Sequence, residues 1–513
     1  PGLTFSGVFI PGIPVPLIGH TPHHAWGLTN VMADDADFFI ERLNPDNQDQ
    51  YRRPGGWRNC RKVQRTIRVK GGEELLQVFR ITDNGLIIND LKSPVPIGDR
   101  VLAMRWVGQD HTAEVQAFYD ILKAQSWEEF RAAVGHFSCP GQNFVYADVE
   151  GNIGWIAGVK IPRRRGGYNP VLPAEAMSGV NGWDGYLDYR DQPQLLNPDQ
   201  GFIVTANNKT AGPEYPHYIS SYWAGPERAT RIRELILAKD KLSTGDVQKI
   251  QADVFSKTAE DLLPRLLRSL EGQALADQEQ ESLDLLKGWD LRMSPDSAAP
   301  TVFEAVYSRL FKETLIDELG EDLLRAYLAN HYAADRAMRL WLAKGSDLFD
   351  DRTTPKVIEN KDDILRRSFR LAVLDLERLT GKESPARWLW GMVHTLTFGH
   401  PFQGRSKVLD RLINLGPYPV GGSLFTVNPT QHRLSRPDDF RVKSGASMRQ
   451  VIDLGDLEGA GRVITTGESG HFMSPHYGDQ VRLWLKGDLH PVSLDPQTLR
   501  ARAKAALVLR PAT

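Results

Sequence analysis

Cysteine is almost missing from this sequence. Cys60 and Cys139 are the only two in 513 residues, too few for a disulfide framework or a cysteine-based metal site. They could pair with each other, but two buried thiols are the simpler expectation for a chain of this size. An excess of charge of one sign is missing too, since 62 Lys and Arg against 64 Asp and Glu leave a formal charge of −2. No basic field exists to draw the chain onto nucleic acid. No uninterrupted apolar run approaches the roughly 18 residues that suggest a membrane span. Several chemical motifs are lacking as well: there is no G-x-S-x-G elbow, no P-loop, no H-E-x-x-H and no G-x-G-x-x-G after a strand. Gly467-Glu468-Ser469-Gly470 comes near an elbow without its last spacing. The 13 His are scattered, and neither His23-His24 nor His471/His476 has helical ligand spacing with a carboxylate, so zinc is not expected. Arg163-Arg164-Arg165 reads as a solvated turn.

What is present describes a globular protein, with 41% hydrophobic and 25% charged residues. At about 150 residues per domain, its length suggests roughly three lobes, or one large core with an insertion. The first third reads as short strands closed by Gly, Pro or Asn-Gly: Val8–Ile13, Ala25–Val31, Thr66–Lys70, Leu75–Ile81, a strand after Asn84-Gly85, Asn143–Val149, Ile153–Ile161 and Gly201–Ala206. Between them, Val115, Phe118, Tyr119, Leu122, Trp127 and Phe130 have the spacing of one helical face. From about Pro226, amphipathic helices follow one another. Ser243 and Ser256 stand at N-cap positions, and Leu262, Leu266, Leu270, Phe303, Val306 and Leu310 are spaced as buried stripes. Gly-rich β material returns after Pro401. The order β-rich, helical, β-rich suggests a split β core with a helical insertion.

Four strings are more specific than any of this. They are Gly19-His20-Thr21-Pro22-His23-His24-Ala25-Trp26-Gly27-Leu28-Thr29-Asn30, then Tyr146-Ala147-Asp148-Val149-Glu150-Gly151-Asn152-Ile153-Gly154. Next come Thr205-Ala206-Asn207-Asn208-Lys209 with Tyr222-Trp223-Ala224-Gly225-Pro226-Glu227-Arg228-Ala229, and last Gly467 to Gln480. In this order and spacing they resemble the β-chain of the penicillin acylase family of N-terminal nucleophile hydrolases, along nearly the whole chain.

The resemblance implies an α+β fold, a four-layer αββα N-terminal-nucleophile sandwich with a large helical insertion. Residues 1–225 would be the first part of the core, 226–400 the mainly helical insertion, and 401–513 the β-rich return. It also implies a hydrolase of linear N-acyl amides such as penicillins, cephalosporins or N-acyl homoserine lactones. Family members are precursors that cut themselves into α and β chains. The new N-terminal Ser attacks the amide carbonyl and its own α-amine, with an unperturbed pKa of about 7.7–8.0, serves as base; one branch adds a His. The sequence opens Pro1-Gly2-Leu3-Thr4-Phe5-Ser6 with neither an initiator Met nor a signal peptide, so it reads as a β-chain lacking its N-terminal segment. The nucleophile is expected upstream, and internal Ser6 is no substitute because it has no free α-amine. An α-chain from the same precursor is the expected partner, a small acyl amide the expected substrate, and the periplasm or exterior the expected location.

Carried over residue by residue, Asn207 matches the Asn whose side-chain amide donates to the tetrahedral oxyanion, and Asn30 the position whose backbone N–H is the second donor. Arg228 matches the Arg that fixes the nucleophile's surroundings. Asp453 corresponds to a residue that could hold a catalytic His or amine in some branches, or is an ordinary strand-end Asp. Ile18 and Trp26 match positions near the acyl site, where a core role is equally suitable. Asp34-Asp35-Ala36-Asp37 brings hard oxygen ligands together, as Ca2+ favours, and matches the family's structural calcium site with carboxylates of Asp34 and Asp37 and carbonyls of Ala36 and Pro170. A further family ligand, an Asp, falls near His217-Tyr218-Ile219, where no carboxylate exists; the alternative is a solvated acidic turn. Thr82-Asp83-Asn84-Gly85-Leu86 departs from the family's usual His-Gly-Pro. The competing function is a non-catalytic ligand-binding relative that keeps the scaffold; a metal-dependent hydrolase built on Asp34, Asp37 and the His pairs fits less well.

Overall fold

The computed structural model describes residues 3–91, 100–110 and 112–503. Contacts divide the chain into two units, Pro1–Trp223 and Ala224–Thr513.

In the first unit a six-stranded antiparallel sheet runs Ser6–Val8, Ile18–His20, His24–Asn30, Gln142–Asp148, Ile153–Gly158, Gln194–Leu196. Side chains alternate between its faces. Trp26, Phe144, Tyr146 and Ile156 point to one face, where helices Glu114–Lys123 and Trp127–Val134 cover them. Val31, Trp155 and Ala157 point to the other, where Ile203, Ile219 and Trp223 pack. The stretch read as one helical face is two helices, because Ser126 caps the second through the Glu129 N–H. Phe118, Leu122, Trp127 and Phe130 are buried, whereas Val115 and Tyr119 are exposed. Ala117 and Ile121 complete the inward stripe with Phe118 and Leu122, which leaves Val115 and Tyr119 on the next stripe out.

A second six-stranded sheet runs Ala174–Glu175, Ala36–Glu41, Val101–Trp106, Gly85–Ile87, Leu75–Thr82, Arg61–Ile67. The sequence predicts a turn at Asn84-Gly85 feeding a strand; the two turn residues are Asp83 and Asn84, and Gly85 opens the strand opposite Thr82. Gly85 has φ 113°, and a Cβ there would lie 2.1 Å from the Met104 carbonyl oxygen, so only glycine lets the strands close. Behind the turn Glu41 is buried; it accepts both Arg53 Nη1 and Nη2 at 2.7 and 2.8 Å and the Thr82 hydroxyl at 2.7 Å.

Three expected strands differ: Thr66–Lys70 is shifted, the observed strand being Arg61–Ile67 with residues 68–70 outside it, and two others change more. The first ends at Val8, because Pro11 has no N–H to give a ladder and the Ile13 N–H closes a turn on the Ile10 carbonyl. Gly201–Ala206 is assigned to no strand among the described residues.

The second unit contains a helical core. Leu262, Leu266, Leu270, Phe303, Val306 and Leu310 are buried in it. Ser243 caps its helix through the Asp246 N–H and Ser256 through the Ala259 N–H, as the sequence predicts. Beyond Val393 come short strand pairs, among them Met448–Asp453 with Asp456–Ile464. No helix among the described residues is long and apolar enough to cross a membrane.

Candidate functional site

The His24–Asn30 strand carries the site at its C-terminal end. The Val31 N–H donates to the Gly141 carbonyl at 3.1 Å. Antiparallel alternation then turns the N–H and C=O of Asn30, one residue earlier, away from the Gln142–Asp148 strand. They face the side on which the Ile18–His20 strand lies, and the registered pairs with that strand stop at Trp26. Both groups of Asn30 therefore sit together on an uncovered strand edge.

Asn207 reaches that edge from 177 residues away. Its Nδ2 donates to the Asn30 carbonyl at 3.0 Å. It holds a left-handed conformation, φ 63°, which Asn tolerates better than most residues. The neighbouring Asn208 fixes the turn by accepting from the Ala206 N–H at 3.0 Å. An amide nitrogen carries two N–H groups. One of them is on the Asn30 carbonyl, so the Asn207 amide is held at the residue that the sequence pairs with it.

Below the edge runs a buried polar chain that the sequence reading missed. Thr29 Oγ1 donates to Thr205 Oγ1 at 2.9 Å and accepts from Asn143 Nδ2 at 3.1 Å. Asn143 Nδ2 also reaches the Asn30 carbonyl at 3.3 Å, and its Oδ1 accepts Trp155 Nε1 at 3.0 Å. Asn143 is fully buried. The signal in the sequence is an amide directly before the apolar run Phe144-Val145-Tyr146-Ala147.

Of the histidines in the first motif, His20 and His24 are buried and His23 is exposed. His24 is buried, stacked on Tyr146, and burial with His23 beside it pulls its pKa down to about 4. Trp26 lies in the core beneath the helices, its indole N–H on the Leu17 carbonyl at 2.8 Å. Ile18 is half-buried at the start of its strand.

Arg164 is not in a solvated turn. It lies in the strand Pro162–Arg165, with Arg163 and Arg165 exposed on either side, and turns inward to Asp34 and Asp37. Asp37 Oδ2 accepts Arg164 Nε and the Tyr168 hydroxyl, each at 2.8 Å, and the Trp183 indole N–H. Asp34 accepts the Tyr218 hydroxyl at 3.0 Å on its carboxylate and Arg164 Nη2 at 2.8 Å on its carbonyl. Burial raises the carboxyl pKa of Asp34 against the lowering effect of Arg164. Pro170 is half-buried in the loop after that strand. Among the described residues no group of three or more His, Cys, Asp or Glu side chains could hold a metal. Both cysteines are free thiols; Cys139 donates to Asp35 at 3.4 Å, and burial lifts its pKa to about 12.

Arg228 and Asp453 belong to the second unit. Arg228 begins the helix Glu227–Leu237 beside Glu227 and Tyr332, and burial pulls its guanidinium pKa down. Asp453 is exposed at a hairpin turn, where its carboxylate accepts the Gly455 N–H at 2.9 Å. That is the work of a strand-end Asp.

The sequence profile described as penicillin amidase matches residues 1–501. Among similar proteins is an acyl-homoserine lactone acylase, QuiP, of Pseudomonas aeruginosa, 29% identical over 99% of this chain and 64% of its own length. Another is the penicillin acylase 2 proenzyme of a Pseudomonas species, 26% identical over 99% of this chain and 63% of its own. The chain thus spans slightly less than two thirds of these relatives. A solved structure of a thermostable penicillin G acylase from Alcaligenes faecalis shares the fold, with a TM-score of 0.73 and 20% identity over 99% of this chain and 94% of that one.

Proposed function

Because the chain belongs to the penicillin amidase family, we propose that it is the larger part of an N-acyl amide hydrolase whose oxyanion hole is Asn207 Nδ2–H together with the Asn30 N–H. The observation that supports this reading is the 3.0 Å bond from Asn207 to the Asn30 carbonyl, which holds the Asn207 amide beside the residue whose N–H is the other proposed donor. An N-terminal Ser from a segment outside these residues supplies the nucleophile. Its hydroxyl attacks the amide carbonyl while its α-amine takes the proton. Negative charge then grows on the carbonyl oxygen, where two fixed donors stabilise it without reorganising. The amine leaves with a proton, and water releases the acid from the acyl-enzyme.

The relatives named for acyl-homoserine lactones and penicillin favour N-acyl amides of both kinds as substrates, and the word proenzyme in one name favours maturation into an α/β heterodimer. Secretion or a periplasmic location fits that reading. In the test, the full-length matured protein is incubated with N-acyl homoserine lactones and with penicillin G, and the released amine and acid are identified by mass spectrometry. Hydrolysis of the linear amide supports the assignment. Saturable binding without products would instead establish a ligand-binding protein.

A further inference from the structure

The acidic loop Asp34-Asp35-Ala36-Asp37 has the composition of a calcium site, and its surroundings have been built for something else. Ca2+ takes about six to eight oxygens at roughly 2.3–2.6 Å. Here the guanidinium of Arg164 spans the carboxylates of Asp34 and Asp37, with Nη2 3.6 Å from Asp34 Oδ2 and Nε 2.8 Å from Asp37 Oδ2. Nη2 also takes the Asp34 carbonyl at 2.8 Å. The side chains of Arg164 and Asp37 are 10% and 1% exposed, so this is an interior ion pair. Tyr218, at the place where an acidic ligand would be expected, donates to Asp34 and lies under the guanidinium, 5.2 Å from it to the ring centroid. Tyr168 and Trp183 donate to Asp37. Every one of these partners is a donor or a cation, which suits a carboxylate and repels a metal ion. Two atoms of the cluster are buried without a partner, Asp37 Oδ1 and Arg164 Nη1; only the first is an oxygen, and one oxygen is not a coordination set. The residues do not fit calcium.

We propose that Arg164 is the resident cation of this loop, bridging Asp34 and Asp37 in place of a divalent ion. The loop is closed without metal, and removing the guanidinium while keeping both carboxylates makes it respond to Ca2+. Arg163 and Arg165 are exposed and donate to backbone carbonyls of Asp184, Gly179 and Val180, so only the inward member of the triplet has this role.

Elemental analysis and thermal unfolding of the full-length protein test this whether or not the hydrolase reading holds. The wild type is expected to contain no stoichiometric calcium and to unfold at the same temperature with and without EDTA. Arg164→Met should lower the midpoint by roughly 6 °C or more, and millimolar CaCl2 should recover part of the loss. Tightly held calcium in the wild type, or a midpoint that EDTA lowers by several degrees, overturns the proposal. A loss that calcium leaves untouched overturns it as well. Should Arg164→Met not fold, Arg164→Lys keeps a cation and should be indifferent to both EDTA and calcium; a calcium-dependent midpoint in that variant contradicts the proposal.

Discussion

Asn143 lies away from any reacting atom and yet should control both stability and turnover. It is fully buried and serves three partners: the Trp155 indole N–H, the Thr29 hydroxyl and the Asn30 carbonyl. In Asn143→Leu the branched shape is kept, with a bulkier side chain, while the indole N–H of buried Trp155 is orphaned, which costs about 1–3 kcal/mol. The two lost bonds to Thr29 and Asn30 add about 0.5–1.5 kcal/mol each. A total near 3 kcal/mol corresponds to a fall of roughly 6–12 °C for a unit of about 200 residues. The decisive control is the double variant Asn143→Leu with Trp155→Phe. It removes the orphaned donor along with its acceptor, so it should lose clearly less than the sum of the single variants. Thermal unfolding monitored by circular dichroism reads the stability. In the same samples kcat/KM should fall about tenfold or more, because Thr29, Thr205 and Asn30 lose the anchor that positions the strand edge. A midpoint within about 2 °C of wild type, or strictly additive losses in the double variant, would refute the reasoning.

Three further outcomes follow from buried charge. His394 and His432 are held at pKa values of about 4 and about 3, mainly by burial, below their ordinary 6.5. Their contribution to stability is full above pH 6.5 and is lost as pH falls towards those values, so midpoints should drop steeply below pH 6, and less steeply in His432→Phe. Glu304 lies 3.7 Å from His432 and has the opposite sign. Burial pushes its carboxyl up to about 8, so its contribution is present below 4.5 and is lost as pH rises through 8; Glu304→Gln should raise the midpoint at pH 9, and an unchanged alkaline limb would contradict this. Glu41→Gln removes the bidentate partner of the Arg53 guanidinium, 4% exposed, and leaves it only the half-exposed Asp83 carboxylate at 3.5 Å; it should destabilise by about 3 kcal/mol, measured by urea unfolding.

Local signals in the sequence were read correctly where the neighbours along the chain decide the outcome. Ser243 and Ser256 cap helices because their partners are three residues on, and the Leu262, Leu266, Leu270 stripe is buried because helical periodicity alone aligns it. Positions decided by distant residues were not legible in that way. Arg164 lies in a run of three arginines, and only partners roughly 130 residues away show that it turns inward. Gly201–Ala206 has strand composition but is assigned to no strand among the described residues, and Thr205 contacts Thr29 through its hydroxyl. Asn207 and Asn30 were singled out by resemblance to a family, never by spacing, since nothing within 177 residues of chain announces that their amides meet. Asn143 was passed over because a strand amide looks like an ordinary irregularity until its partners are seen.

The role proposed for Asn207 is to stabilise the negative charge formed during amide cleavage. It is tested most directly by single-turnover and steady-state kinetics of Asn207→Ala in the full-length matured protein, with Asn207→Gly as a control free of left-handed backbone strain. Both variants should fold and bind substrate with little change in KM, while kcat falls by about 100- to 1,000-fold. Wild-type kcat in either variant would contradict the assignment.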